Sequence, residues 1–322
     1  MDKAVRVQGP GGAGRLEITD WPAQEPGPGE IRLRHQAIGV NFLDIYPRTG
    51  LYPLPVPAIP GVEGAGIVEA LGEGVEGLAI GQRVAYAGLT GAYAATRLLP
   101  AWRAIALPDA IPSRLAAVSM LRGMTAHMLL SRTYPVGAGS VLLIHAAAGG
   151  LGGVLTRWAK HLGATVIGAV GSPEKREPAR ANGAHHIIVG RHVDLAAEVA
   201  GLTGGRGVDF AIDGIGGDML TKTLACVRRF GTIASVGQAA DPIPPVPVEA
   251  IGPIRSLSLA RPSVMAYSAD KDIYPIVAAT VLDRIASGVF AEVGQDYPLE
   301  AAAEAHVDLE AGRTVGSAAL QP

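Results

Sequence analysis

Apolar residues follow two different rhythms along this 322-residue chain. Up to about residue 120 they form short runs closed off by glycine and proline, at Lys3–Val7, Ile31–Val40, Gly66–Leu71, Arg83–Ala87 and Ala92–Leu98. Runs of that length and punctuation predict strands. Pro22–Glu30 (PAQEPGPGE) predicts a rigid surface connection, and Val68–Ala85 two strands joined by a turn-rich segment. From Ile111 the pattern changes. Ile111–Thr133 has apolar residues at helical spacing, with Ser113 placed as an N-cap. Strand and helix then alternate: Val141–Ala147, helix Leu151–Gly163, Thr165–Val170, a helix over Ser172–Gly183 interrupted by Pro178, His186–Val189, helix Asp194–Leu202, Val208–Asp213, a helix through Cys226, and Gly231–Gly237. Strands separated by helices predict βαβ crossovers and a parallel sheet. Ser256–Ser263 predicts a strand, Asp270–Ser287 a helix, and Val315–Leu320 a last strand that returns to the first module.

The fold class that follows is α/β: a dinucleotide-binding domain with a doubly wound parallel sheet, residues 124–257, inserted into a discontinuous β-rich domain, residues 1–123 and 258–322. Composition narrows the choices. Hydrophobic residues are 48% and charged ones 17%, which excludes a disordered chain. A net charge of -2 and 5% aromatics leave no basic or stacking surface for nucleic acid. Cys226 is the only cysteine, so neither an internal disulfide nor a cysteine-built zinc site can form. The opening MDKAVRVQGPGG has no continuous apolar core, and the uncharged stretch Thr133–Thr156 is broken by Pro135 and several glycines. A soluble cytoplasmic protein is expected, with no membrane segment.

The strongest chemical signal is HAAAGGLGG, His145–Gly153, which follows a strand and opens a helix. Ala147, Gly149 and Gly152 have the spacing G-x-G-x-x-G with alanine first. Small residues there let backbone N–H groups reach a pyrophosphate at the helix N-terminus. The second strand of an NAD site carries an acid about 20 residues on. Here it ends at Gly171-Ser172 with no acid before Glu174, and Lys175 and Arg176 follow. A hydroxyl, a helix start and cations favour a 2′-phosphate, so NADPH is the expected cofactor.

With these segments on the page, the chain resembles the quinone oxidoreductase (zeta-crystallin-like) family of zinc-free medium-chain dehydrogenase/reductases. The likeness is carried by Ala37–Pro53 (AIGVNFLDIYPRTGLYP), Ile59–Val75 (IPGVEGAGIVEALGEGV), His145–Gly152 and Leu259–Ser263 (LARPS). It implies a GroES-like catalytic domain beside the Rossmann-type one. Zinc alcohol dehydrogenases of the superfamily have Gly-His-Glu where this chain has Gly61-Val62-Glu63, so no metal is expected. Alcohol oxidation draws on a metal to make the hydroxyl proton acidic, whereas a quinone takes hydride without that help.

The resemblance also implies roles. Asn41, Tyr46 and Tyr52 would line the cleft beside the nicotinamide, with Asp44 capping or orienting their loop, and Arg261 would face cofactor phosphates or the quinone oxygen. Gly149, Gly150, Leu151 and Gly152 would take the pyrophosphate. Gly171, Ser172 and Lys175 would take the 2′-phosphate, with Arg191 standing in for a family tyrosine replaced here by Gly190. Thr125, His127, Val236, Gly237, Gln238 and Ser317 would complete the cofactor contacts, and His127 equally suits a half-buried helix position. A homodimer joined at the uncharged strand Ser256–Ala260 is expected. The acceptor is a quinone, or alternatively an enone, enal or enoyl thioester. A non-catalytic NADPH- or RNA-binding role is the remaining alternative, against which the charge balance counts.

Overall fold

The computed structural model describes residues 1–291 and 294–322 and divides into two compact units, Met1–Met124 with Val264–Pro322, and Thr125–Ser263. In the first unit β1 (Lys3–Val7) and β2 (Leu16–Asp20) form an antiparallel pair. Then come β3 (Glu30–Val40), α1 (Phe42–Thr49), β4 (Glu63–Leu71), β5 (Arg83–Ala87), β6 (Thr96–Pro100), β7 (Ile105–Ala106), α2 (Ser113–Ala117) and α3 (Met120–His127), which runs across the division. The second unit holds a π-helical segment Met128–Thr133, β8 (Val141–His145), α4 (Gly150–His161), β9 (Thr165–Val170), α5 (Arg176–Ala181), β10 (His186–Val189), α6 (Leu195–Leu202), β11 (Val208–Asp213), α7 (Met219–Cys226), β12 (Val227–Ser235), α8 (Val248–Ile251) and β13 (Ser258–Ala260). The chain returns to the first unit with α9 (Val264–Ala269), α10 (Ile273–Ala286), β14 (Gly294–Pro298), α11 (Ala302–Glu310) and β15 (Ser317–Gln321).

The first unit is built on a mostly antiparallel sheet of order β14-β15-β3-β4-β5-β7, with β6 also paired to β3. The returning strand β15 fills an interior place, pairing Ala318, Ala319 and Leu320 with Val40, Gly39 and Ile38. Alternation along β3, shifted by an irregularity between His35 and Ala37, sends Ile31, Leu33 and Ile38 into a core shared with Val68, Val84, Leu99 and Leu320. The second unit is an all-parallel sheet of order β10-β9-β8-β11-β12-β13. Every residue of β11 is buried, as expected of a strand covered on both faces. The order reverses at β8 and β11, where open parallel sheets bind ligands at the carboxyl ends of their strands.

Several elements differ from the sequence reading. Asn41–Tyr52 is largely the helix α1 rather than a loop. The segment Ile111–Thr133 is broken into α2, α3 and the π segment, because the buried carboxylate of Glu63 accepts the Leu121 N–H at 2.8 Å and starts α3 afresh. Ser113 is not the N-cap: Pro112 holds that position and the Ser113 hydroxyl donates to Gln36 at 2.6 Å. Pro178 does not interrupt α5 but lies in its first turn, where no N–H is needed. Cys226 ends α7, and burial pushes its thiol up to about 12. Residues 92–95 stand outside β6, and the strand 258–260, grouped by the sequence with the first domain, pairs instead with β12. The helices α9 and α11 and the strand β14 had no signal strong enough to set them apart from loops. Among the described residues no helix is long and apolar enough to cross a membrane.

Candidate functional site: a dinucleotide cradle and a tyrosine-bearing helix

In the first unit, chemistry gathers where β3 runs into α1. Asn41 is the N-cap of α1, and the Asp44 carboxylate, three residues on, accepts its N–H at 2.8 Å. That is the returning half of a capping box. The Asn41 side chain also accepts from the Asp44 backbone, the other half of the box. It donates to Glu63 Oε1 at 2.8 Å, so one buried carboxylate fixes Asn41 and the start of α3 together. A Cβ at Gly39 would lie 2.3 Å from Glu63 Oε1, and only glycine there leaves room for the acid. Burial raises Glu63 above the usual carboxylate range, against the pull of Arg122. Tyr46 is buried and its ring meets that of the half-exposed Tyr52 edge-on, 5.2 Å between centroids. Gly50, at φ 85, ends α1 in the left-handed region and lets the Leu51 and Tyr52 N–H groups return to the Tyr46 carbonyl.

Behind α1 lies a buried polar chain. The Tyr93 hydroxyl donates to Asp44 Oδ2 at 3.0 Å and stands 2.9 Å from His306 Nε2. Burial moves Asp44 up to about 7 and His306 down to about 3, so the imidazole is neutral at neutral pH. A hydroxyl has one proton, so with it on Asp44 the His306 Nε2 carries the hydrogen and donates to Tyr93. Arg48, 1% exposed, donates to the Gly11 carbonyl and to Glu310 of α11. The helix bearing Tyr46 is thereby tied to the C-terminal helix.

In the second unit the turn from β8 to α4 is a close backbone crossing. Ala146 has φ 50, and a Cβ at Gly152 would lie 2.2 Å from the Ala146 carbonyl oxygen. Gly149 is the N-cap, with no side chain to cover the helix start. The leading N–H groups of Gly150, Leu151 and Gly152 have no intrahelical acceptor, which suits a pyrophosphate. Asn182 fastens the turn by donating to the Ala147 carbonyl at 2.8 Å. These residues fit a dinucleotide.

At the end of β9, an open cavity of about 530 Å³ is lined by Gly171, Gly190, Arg191, His192 and Val193. Arg191 lies over Gly171, where a Cβ would come within 3.2 Å of its Nε. Ser172 is adjacent, but its hydroxyl donates to the Glu174 carboxylate. The sequence reading found no acid before Glu174, and a turn of 3-10 helix over Pro173–Lys175 brings that carboxylate back to Ser172. At the ends of β11, β12 and β13, Arg261 Nη1 donates to Ser235 Oγ at 2.8 Å. Asp213 accepts the N–H groups of Ile215 and Gly216 through Oδ1, and burial pushes it up to about 6 despite nearby Arg261. Val236 follows Ser235 and donates its N–H to the Asp213 carbonyl, and Gly237 and Gln238 continue past it.

The remaining sequence candidates are more scattered. Thr125 is buried in α3 and is the first residue of the second unit. His127 is half-buried with its ring 6.3 Å from that of Trp158, a helix-packing position, and burial lowers its pKa. Ser317 is buried at the start of β15, beside Gly294. Glu63, Asp213 and His192 had been missed. An acid ending the apolar run VDFAID was the available signal for Asp213, and nothing in the local pattern marked His192. Among the described residues no three His, Cys, Asp or Glu side chains form a group able to hold a metal.

Two family patterns match the chain: the zinc-binding dehydrogenase family over residues 150–279 and the alcohol dehydrogenase GroES-like domain over residues 27–109. A quinone oxidoreductase of Pseudomonas aeruginosa is 40% identical over 325 residues, covering 100% of both chains. A 2-haloacrylate reductase of Burkholderia sp is 41% identical, covering 100% of this chain and 99% of its own. The crystal structure of Escherichia coli quinone oxidoreductase complexed with NADPH superposes with a TM-score of 0.95 at 36% identity, over 99% of this chain and 100% of that one.

Proposed function

We propose, for a chain that belongs to the quinone oxidoreductase branch of the medium-chain dehydrogenase/reductase family, that it is an NADPH-dependent reductase of quinones. The observation that carries this reading is the close crossing at Gly152, which leaves the start of α4 bare for a pyrophosphate. The NADPH complex of the Escherichia coli relative supports it. Gly149 to Gly152 bind the pyrophosphate. Ser172, Lys175 and Arg191 bind the adenosine end, and Val236, Gly237, Gln238 and Arg261 the nicotinamide half. When bound, NADPH supplies a hydride. Asn41, Tyr46 and Tyr52 would hold a flat acceptor, and position would supply most of the rate. A quinone that accepts hydride becomes a hydroquinone anion, and water can provide its proton.

Two substitutions test that division of labour. Tyr46→Phe and Tyr52→Phe keep the rings and should each lower kcat by less than about tenfold, below the loss expected of a general acid. Tyr52→Ala removes a wall of the site and should cost more. A thousandfold fall in kcat for either phenylalanine variant, with binding intact, would make a tyrosine the obligatory proton donor. It would turn the assignment toward reduction of an activated carbon–carbon double bond, where a carbon must also be protonated. The likeness to a 2-haloacrylate reductase favours that second reading. Following NADPH absorbance with a panel of quinones, enones and haloacrylates decides between them.

We also propose a homodimer. β13 is the edge strand of the six-stranded sheet, and Ser258, Leu259 and Ala260 carry no charge to guard it. Light scattering at micromolar concentration should give twice the chain mass of 33.0 kDa. A monomer there refutes the assembly and leaves the activity untouched.

A further inference from the structure

We propose that Glu174 sets the choice between NADPH and NADH, by holding the Ser172 hydroxyl that an adenosine 2′-phosphate would need. The inference rests on reading the cavity beside Gly171 and Arg191 as the adenosine end of the cofactor site.

Ser172 has one hydroxyl proton, and it lies on the Glu174 carboxylate. Ser172 directly follows Gly171, which lines the cavity. Two cations stand around this pair. Arg191 covers Gly171, and Lys175 acts through space on Glu174. The bond from Ser172 is the main cause that keeps Glu174 ionised below its ordinary range, with Lys175 a smaller one. The site therefore contains both halves of a specificity decision. A carboxylate accepts a hydrogen bond from a free ribose 2′-hydroxyl, which NADH offers. Cations and a hydroxyl donor attract a 2′-phosphate, which NADPH offers. With Glu174 latched on Ser172, the carboxylate stands where a phosphate would enter. NADPH binds by displacing it, and like-charge repulsion weakens that step. NADH meets no such conflict, and its 2′-hydroxyl can join the Ser172–Glu174 pair.

Glu174 is exposed at the surface, so replacing it does not threaten folding. Glu174→Gln keeps the shape and removes the charge. Dissociation constants for NADPH and NADH are measured by calorimetry at one fixed salt concentration, on the purified full chain and without acceptor. The expected result is a three- to tenfold tighter Kd for NADPH, no tightening for NADH, and thus a discrimination ratio raised at least threefold. Lys175→Ala and Arg191→Ala are measured alongside, and each should weaken NADPH while leaving NADH nearly unchanged. If the two cation variants discriminate as expected but Glu174→Gln leaves the ratio where it was, or moves both cofactors equally, the role of Glu174 is overturned and the site stands. If neither cation variant distinguishes the cofactors, the cavity is not the adenosine end, and both that reading and this inference fall.

Discussion

Glu63→Ala should lower folding stability by about 3–5 kcal/mol, a large share of the about 5–15 kcal/mol that holds a domain together. The carboxylate is fully buried and serves three partners. Oε1 accepts from Asn41 and Oε2 from the Leu121 N–H, and its charge opposes that of Arg122. The Arg122 guanidinium donates to the carbonyls of Val118 and Val40, so its own hydrogen bonds survive the substitution. Its charge does not remain balanced: with Glu63 gone, Asp44 alone among the described residues is left to offset a cation held in a dry interior. Two donors lose their acceptor at the same moment. Urea unfolding compares this variant with Asn41→Ala, which deletes one of the three partners and should cost about 1 kcal/mol. If the two variants lose equal stability, Glu63 is not the hub.

Gly152→Ala should weaken NADPH by roughly tenfold to a hundredfold, the loss of about 1–3 kcal/mol of charge-assisted hydrogen bonds. The added carbon would meet the Ala146 carbonyl oxygen at 2.2 Å and its carbon at 2.7 Å. Those are backbone atoms and cannot swing aside. α4 has to slide along β8, and the N–H groups of Gly150 and Leu151 leave the line of the pyrophosphate. Overpacking adds about 1–3 kcal/mol of destabilisation, so thermal melting is followed with and without NADPH. A variant that melts lower but keeps the full ligand-induced rise in Tm would show that the crossing serves packing alone.

The parallel sheet was legible because its strands are nearly continuous apolar runs separated by helical spacing, a pattern that one sequence displays without help from contacts. The glycine turn was legible for the same reason, since its small residues stand at fixed intervals. Other features depend on contacts far apart in sequence. Asp44 could be named as a capping residue from local spacing, but its link through Tyr93 to His306 crosses more than 250 residues. Glu63 stood in view only as the neighbour of an absent histidine, while its work is to join Asn41 to Leu121. The end of the helix series failed for a different reason. Residues 264–269 and 302–310 are short segments rich in alanine whose periodicity does not separate helix from loop, and they become helices by packing.

The interior place of β15 has a consequence for how the chain comes off the ribosome. β3 and β4 are made early, and they emerge with one edge of the sheet unfilled, because its partner residues 318–320 are translated only after the whole of the second unit. All six strands of the parallel sheet are complete before then, and that unit can settle while the first one waits. At about 5–20 residues per second, residues 264–322 take roughly 3–12 s to appear. During that interval Ile38 and Val40, fully buried in the finished protein, line an open backbone edge. Nascent chains are therefore most prone to sticking in the interval before residues 318–320 appear, and a holdase that covers apolar strands would matter most at that stage.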